Sequence, residues 1–506
     1  MQEPSQLVSV ALKKPFPLLG KGHRWCLLSS PATAGEVGAK RSEGASLLAN
    51  TPSVSFADSS PVGRGSKESL RHLRLVFACE VAILFAAFAT ATPASAQSAT
   101  PTNRPNFVVI MIDDAAWSDL GPYGGEARTP HIDALAQQGT LFTRYHTSPL
   151  CSPSRAMLLT GLSNHQAGVA TIPEVLPPQH KGKQGYRLRL EPGAISVAQR
   201  LRQASYRTLM SGKWHLGDRP QDLPNAHGFD QSFALDASGA DNWDDKSYMP
   251  YYDHAPWYEN SKATTYPSGR YSSTVIIDKM VDYLKASDPA QPFLAYVAFQ
   301  AVHIPVQAPK AFSDHYKGRF DGGWDALAKA RFERAKAGGL VPMDAAPPQW
   351  PKSLRRWDAL TPAEQKLQSR AMEVYAGMIE AMDHEIGRLH AHLAATGQLA
   401  NTVWIVTSDN GPEPTDPSAQ RGFDLWARLH GYHHRLEDLG ERGSHNWIGP
   451  EWAAAVATPG HLFKFYTGEG GLRVPLIIAG PQVQGGVRTG ASAFVTDITP
   501  TLLEWA

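Results

Sequence analysis

Phe107-Val108-Val109-Ile110-Met111-Ile112-Asp113-Asp114 is a run of six apolar residues closed by two carboxylates. A continuous apolar run of strand length suits a strand buried on both faces of a parallel sheet. In open sheets of that kind, ligands bind beyond the carboxyl ends of the strands, so Asp113 and Asp114 mark a candidate crevice. Further strands are predicted at 206–210, 293–299, 402–407 and 474–479, and helices at 129–136, 197–203, 273–285, 364–394 and from 497 onward. Thr129 and Pro130 supply a cap and a first-turn proline. The 364–394 stretch sets Met372, Tyr375, Ile379, Met382, Ile386 and Leu389 on one side of a long helix. Strands alternating with helices predict an α/β fold, a large and mostly parallel sheet flanked by helices. Two insertions break the rhythm: an aromatic, polar stretch at 242–271, and a charged helical piece with a Pro-rich loop at 308–360.

The chain has 506 residues, 42% hydrophobic and 19% charged, enough for a large core. Its net charge of +1 provides no global field for nucleic acid or a membrane surface, so any attraction for anions is local. Residues 1–69, rich in Ser, Gly, Pro and Ala, read as a disordered or mis-assigned extension. Residues 70–96 read as a signal peptide: Arg71-His72-Leu73-Arg74, an apolar run at 75–91, then Pro93-Ala94-Ser95-Ala96 before a cut at Gln97. Glu80 interrupts the apolar run, and its position far from residue 1 places the expected start near residue 70. The run is short for a stable membrane anchor, so a periplasmic or secreted product is expected. Of Cys26, Cys79 and Cys151 only Cys151 survives cleavage, which leaves no disulfide framework and one thiol to explain.

That thiol opens Cys151-Ser152-Pro153-Ser154-Arg155, between a turn-like run and a helix-like run that ends at Gly161. Ser152 or Ser154 is expected to cap this helix, with Pro153 in its first turn and Gly161 at its end. Cys151 then lies at the helix N-terminus, where orphan N–H groups and the dipole favour negative charge. Arg155, four residues on, rises on the same face. Asp409-Asn410-Gly411 ends the 402–407 strand. Three carboxylates and an amide oxygen at strand ends make a hard-oxygen site, suited to Ca²⁺ or Mg²⁺ rather than zinc; singly, each pair equally suits a cap or turn. Lys213-Trp214-His215 follows the 206–210 strand, and a cation beside an imidazole suits an anion and a proton transfer. His303 follows the 293–299 strand, and Lys464 precedes Glu469-Gly470-Gly471. Alone, these read as a structural histidine and a solvated lysine.

Taken in order, Asp113-Asp114, Cys151 to Arg155, Gly212-Lys213-Trp214-His215-Leu216-Gly217, His303, Ser408-Asp409-Asn410-Gly411 and Lys464 with Glu469-Gly470-Gly471 resemble the motifs of the sulfatase family. The resemblance spans about 103–506 and is strongest to secreted bacterial arylsulfatases. It implies an alkaline-phosphatase-like sulfatase fold, with Cys151 oxidised to formylglycine by a formylglycine-generating enzyme. Asp113, Asp114, Asp409, Asn410 and the modified Cys151 would bind Ca²⁺. One hydroxyl of the hydrated aldehyde would attack sulfur with help from Asp409, and Arg155 would orient the hydrate. Lys213 would clamp the sulfate, and His303 and Lys464 would protonate or stabilise the leaving oxygen. His215 would deprotonate the second hydroxyl and so expel sulfate. The implied reaction converts a small aryl sulfate and water to a phenol and sulfate. A phosphate or phosphonate ester hydrolase on the same fold, and an inactive sulfate-ester-binding fragment, are the alternatives. The family's catalytic domain is usually followed by a smaller subdomain, and this chain is expected to stop short of it. From composition, Trp243, Tyr252 and Trp257 are expected to line an aromatic substrate pocket.

Overall fold

The computed structural model describes residues 104–286 and 288–506. The readings of 1–69 and 70–96 fall outside the described residues. Ten strands form one mixed sheet: β1 (Asn106–Ile112), β2 (Thr140–His146), β3 (Arg207–Lys213), β4 (Gln231–Leu235), β5 (Trp257–Glu259), β6 (Lys262–Thr264), β7 (Phe293–Ala298), β8 (Thr402–Ser408), β9 (Leu476–Ala479) and β10 (Val487–Phe494). Their order is β10-β2-β9-β8-β1-β7-β3-β4-β5-β6. The centre, β8-β1-β7-β3-β4, is parallel throughout. On one side β9 runs antiparallel between β8 and β2, and β10 adds parallel to β2. On the other, the β5–β6 hairpin closes the edge.

Every residue of β1 and of β8 is buried, as expected of central strands covered on both faces. Successive side chains of β1 enter different cores: Val108, Ile110 and Ile112 join one, and Phe107, Val109 and Met111 the other. This is the period of two of an extended chain. The covering helices of seven or more residues are α1 (Pro130–Gln138), α2 (Cys151–Thr160), α3 (Val197–Gln203), α4 (Ser272–Lys285), α5 (Gly323–Ala337), α6 (Pro362–Ala395), α7 (Phe423–Leu429), α8 (Gly449–Ala457) and α9 (Ile498–Trp505). α6 is the 364–394 helix of the sequence, extended by a capping box in which Thr361 and Glu364 exchange side-chain-to-backbone bonds. Among the described residues no helix is long and apolar enough to cross a membrane.

The α2 cap differs from the expectation. Leu150 is the N-cap residue and no side chain caps the helix. Ser154 Oγ instead accepts from Ser148 N (3.0 Å) and donates to Ser148 O (3.1 Å), tying the preceding turn to the helix. Gly161 ends α2 in the left-handed conformation, φ 71°. The aromatic pocket is corrected as well. Trp257 stacks on Phe233 at 4.7 Å between centroids and is fully buried, and Trp243 packs on Tyr271 at 5.1 Å. Both serve the packing of the insertion, and only Tyr252 reaches the site described below.

Strand register prepares that site. Ile112 stands opposite Ser408 and Gly212 opposite Ala298, so the chain leaves β1, β8 and β3 at neighbouring points. Helix α6 holds the 308–360 insertion through a close approach at Gly377, where a Cβ would lie 2.6 Å from the backbone N of Ser313. Gly377→Ala should therefore destabilise the protein by roughly 1–3 kcal/mol through overpacking, although helix propensity alone would stabilise it by about 1 kcal/mol. Urea unfolding checks the sign; a gain in stability would mean the contact yields freely.

Candidate active site

Three strand ends, one helix start and two loops deliver the site. Asp113 and Asp114 follow β1, with Asp113 N donating to Ala301 O (2.8 Å) and Val302 N to Asp113 O (2.6 Å). Asp114 holds φ at 64°, a left-handed conformation uncommon for a non-glycine residue, and its N–H donates to Asp409 Oδ1 (3.1 Å). Asp409 and Asn410 follow β8. Gly411 comes so close to the Lys464 segment that a Cβ would sit 1.8 Å from Gly470 O; only glycine lets these two loops meet. Cys151 is the first residue of α2, and Lys213 the last of β3.

The sulfur of Cys151 and one oxygen from each of Asp113, Asp114 and Asp409 lie within 4.8 Å of one another, all buried. Cys151 Sγ is 3.8 Å from Asp114 Oδ1. Three cations answer the carboxylates. Arg155 donates to Asp409 Oδ2 through Nε (2.9 Å) and Nη2 (2.7 Å), and through Nη1 to Lys213 O (3.0 Å). Lys213 Nζ donates to both oxygens of Asp113 (2.8 and 2.7 Å). Lys464 Nζ sits 2.9 and 3.0 Å from the two oxygens of Asp114 and 2.6 Å from Glu413 Oε2. His303 Nε2 lies 3.6 Å from Asp114 Oδ2, 3.8 Å from Glu413 Oε2 and 3.3 Å from Ser238 Oγ, while its Nδ1 donates to Ile304 O (2.5 Å).

Burial pushes Asp113 well above the usual carboxylate range, Lys213 pulls it back, and Asp409 and Asp114 add to the rise. Asp409 goes the other way: burial raises it, but Arg155, then Lys213 and Lys464, hold it well below its ordinary value. Burial raises the Cys151 thiol far above its usual range, only partly offset by Lys213 and Lys464. An unmodified Cys151 is therefore a protonated, poor nucleophile. Burial also lowers His303, and Lys464 and Lys213 lower it further, so its imidazole is neutral. Lys464 stays protonated: burial disfavours its charge, but Asp114 leads the groups that overcome that cost.

The donor set fits a hard divalent cation. Asn410 Nδ2 donates to Asp114 Oδ1 (2.6 Å) and Gly411 O (2.8 Å), while its Oδ1 is buried with no hydrogen-bond partner. An orphaned amide oxygen beside three crowded carboxylates is the chemistry such an ion satisfies.

Nine of the ten site residues picked from the sequence thus form one contact network. The tenth, His215, sits two residues from Lys213 in a left-handed conformation (φ 56°), and its ion-pair contact is with Glu174 Oε1 at 3.4 Å. Sequence reasoning missed Glu413, Glu174 and Ser238. Glu413 had a signal, four residues after Asp409 in Asp-Asn-Gly-Pro-Glu. Glu174 had none, because it lies in an irregular segment whose position depends on tertiary packing.

Buried carboxylates, fixed cations and histidines around one buried cysteine at a sheet's carboxyl edge suit a hydrolase of oxyanion esters. The family model described as Sulfatase matches residues 105–506. An uncharacterised sulfatase of Schizosaccharomyces pombe is 38% identical over 80% of this chain and 75% of its own. The arylsulfatase of Klebsiella aerogenes is 35% identical over 81% of this chain and 88% of its own. Among solved structures, Ps i-CgsB in complex with k-i-k-neocarrahexaose shares the fold, with a TM-score of 0.55, 24% identity and coverage of 79% of this chain and 72% of its own. The chain belongs to the sulfatase family and is a sulfuric ester hydrolase.

Arg155 compensates Asp409 with no exposed surface on either side chain. Arg155→Ala should cost about 3–5 kcal/mol, because it strands a buried charge; chemical denaturation measures it, and a loss under 1 kcal/mol would mean another group carries the compensation.

Proposed function

We propose that the protein hydrolyses aryl sulfate monoesters with a formylglycine made from Cys151 and a Ca²⁺ ion held by Asp113, Asp114, Asp409, Asn410 and the modified residue 151. The observation that carries the reading is the placing of Cys151, at a helix N-terminus, within 4.8 Å of three buried carboxylates. When present, the hydrated aldehyde supplies one hydroxyl as nucleophile and a second whose deprotonation drives sulfate out. A bound divalent cation supplies charge that offsets the sulfate oxygens and the nucleophile.

The chain's own groups do the remaining work. Lys213 Nζ and the Cys151 end of α2 receive the sulfate, with charge-assisted contacts worth about 1.5–3 kcal/mol each. Asp409, held ionised by Arg155, takes the proton of the attacking hydroxyl. Arg155 fixes that carboxylate with two donors and orients the hydrate. Lys464 Nζ, kept protonated among carboxylates, delivers a proton to the leaving oxygen, and His303, anchored by Ile304 O, stands beside it. His215 accepts the proton of the second hydroxyl. Substrate would be a small-molecule sulfate ester, and maturation would need a formylglycine-generating enzyme. The leader-like stretch at 70–96 supports export to the periplasm or beyond.

Cys151→Ala should abolish turnover with little change in melting temperature, and mass spectrometry of the peptide spanning residue 151 should find an aldehyde in active protein. An intact thiol in fully active material would overturn the nucleophile. Chelation should lower both activity and melting temperature, with Ca²⁺ restoring both; indifference to chelators would remove the metal. Rates on aryl sulfate should exceed those on the matching aryl phosphate, and the reverse order would favour a phosphoesterase.

A further inference from the structure

Glu174 is an acidic side chain with only 7% of its surface exposed, placed by a single helical turn, Pro173–Val175, far in sequence from every strand end. Three observations meet on it. Its Oε1 lies 3.4 Å from His215 Nε2. The hydroxyl of Tyr252 donates to the same oxygen, and Tyr252 in turn accepts from Ser238 N (3.0 Å). Both ring nitrogens of His215 are buried with no hydrogen-bond partner, and Glu174 is the carboxylate within ion-pair reach of one of them, Nε2. Ser238 Oγ also touches His303 Nε2 at 3.3 Å, so one chain of contacts joins the two histidines of the site.

We propose that Glu174, braced by Tyr252, is a positioning residue that holds the proton of His215 on Nε2 and leaves Nδ1 as the site's proton acceptor. This rests on the reading of His215 as the base that frees sulfate. A carboxylate behind an imidazole fixes the tautomer and ring orientation and stabilises the imidazolium that forms when the other nitrogen takes a proton. The proton moves from the hydroxyl to Nδ1, and Nε2 keeps its own throughout.

The surroundings agree. Burial pulls His215 below the usual imidazole range, Glu174 opposes that pull, and Lys213 from β3 with Arg155 from α2 add to it. Burial works against the charge of Glu174, but His215 and the Tyr252 hydroxyl bring its carboxyl down to about 2, so it is ionised wherever the enzyme works. The sign follows. His215 acts as a neutral base, so activity rises with pH through its pKa. Taking away the Glu174 charge lowers that pKa, moves the acidic limb of the profile to lower pH and leaves a weaker base.

Glu174→Gln in the full, matured enzyme should lower kcat at least about tenfold with KM within about twofold, and shift the acidic limb of kcat downward. An NMR titration of the His215 ring, identified by its loss in His215→Ala, should move the same way. In a His215→Ala background the Glu174→Gln change should cost nothing further. Tyr252→Phe should give a smaller fall in the same direction, and it decides the matter if Glu174→Gln does not fold. Wild-type kcat and an unmoved limb in Glu174→Gln, or an equal loss with and without His215, would overturn the role of Glu174. Wild-type turnover in His215→Ala would instead overturn the reading of His215 itself.

Discussion

Asp113, Asp114 and Asp409 crowd the ends of β1 and β8 with no exposed surface, and the rest of the site exists to make that crowding tolerable. Two unit charges 4 Å apart repel by about 4 kcal/mol even at an effective dielectric of 20, and each ion adds a desolvation penalty of several kcal/mol. Arg155, Lys213 and Lys464 are buried against these carboxylates, and the orphaned Asn410 oxygen turns the same cluster toward a hard cation. The consequence is functional. A dry site lined by fixed charges stabilises an incoming oxyanion with little reorganisation. The sheet makes this possible, because only covered parallel strands bring several chain ends to one dehydrated point.

The same cluster explains what was legible in the sequence. β1, β7 and β8 announce themselves because burial on both faces demands unbroken apolar runs. β2 and β10 do not: neither is a continuous apolar run, and they add to the sheet in turn, β2 antiparallel to β9 and β10 parallel to β2. Asp113, Asp114, Asp409 and Asn410 were readable as polar residues closing apolar strands, since strand ends are fixed by local sequence. Glu174 and Ser238 were not, because nothing local tells an irregular segment where to dock. Trp243 and Trp257 pack on Tyr271 and Phe233 for a related reason. Aromatic content shows that an insertion packs, and topology alone decides against what.

Proton positions in the site are set by different means. Lys464 holds its proton because Asp114 and Glu413 surround it, whereas His303 is held neutral by burial and the two neighbouring lysines. Ile304 O accepts a hydrogen bond from His303 Nδ1, leaving Nε2 facing the carboxylates of Asp114 and Glu413. A protonated lysine and a neutral imidazole thus stand side by side against Asp114 and Glu413. His215 has its one ion-pair contact with Glu174, and burial, Lys213 and Arg155 oppose its charge.

That electrostatic arrangement also argues against the cysteine as the reacting species. A thiolate at residue 151 would put another negative charge beside three carboxylates in a buried site, and burial drives the thiol far from ionising. Lys213 and Lys464 offset this only in part, because both are already engaged by Asp113 and Asp114. A neutral group bearing hydroxyls makes no such demand. Such a hydrate would stay uncharged until an oxyanion reached Lys213, with the carboxylate of Asp409, held ionised by Arg155, beside it. The surroundings that silence the sulfur are those in which a neutral hydrate would work, and the single cysteine of residues 97–506 stands at that point.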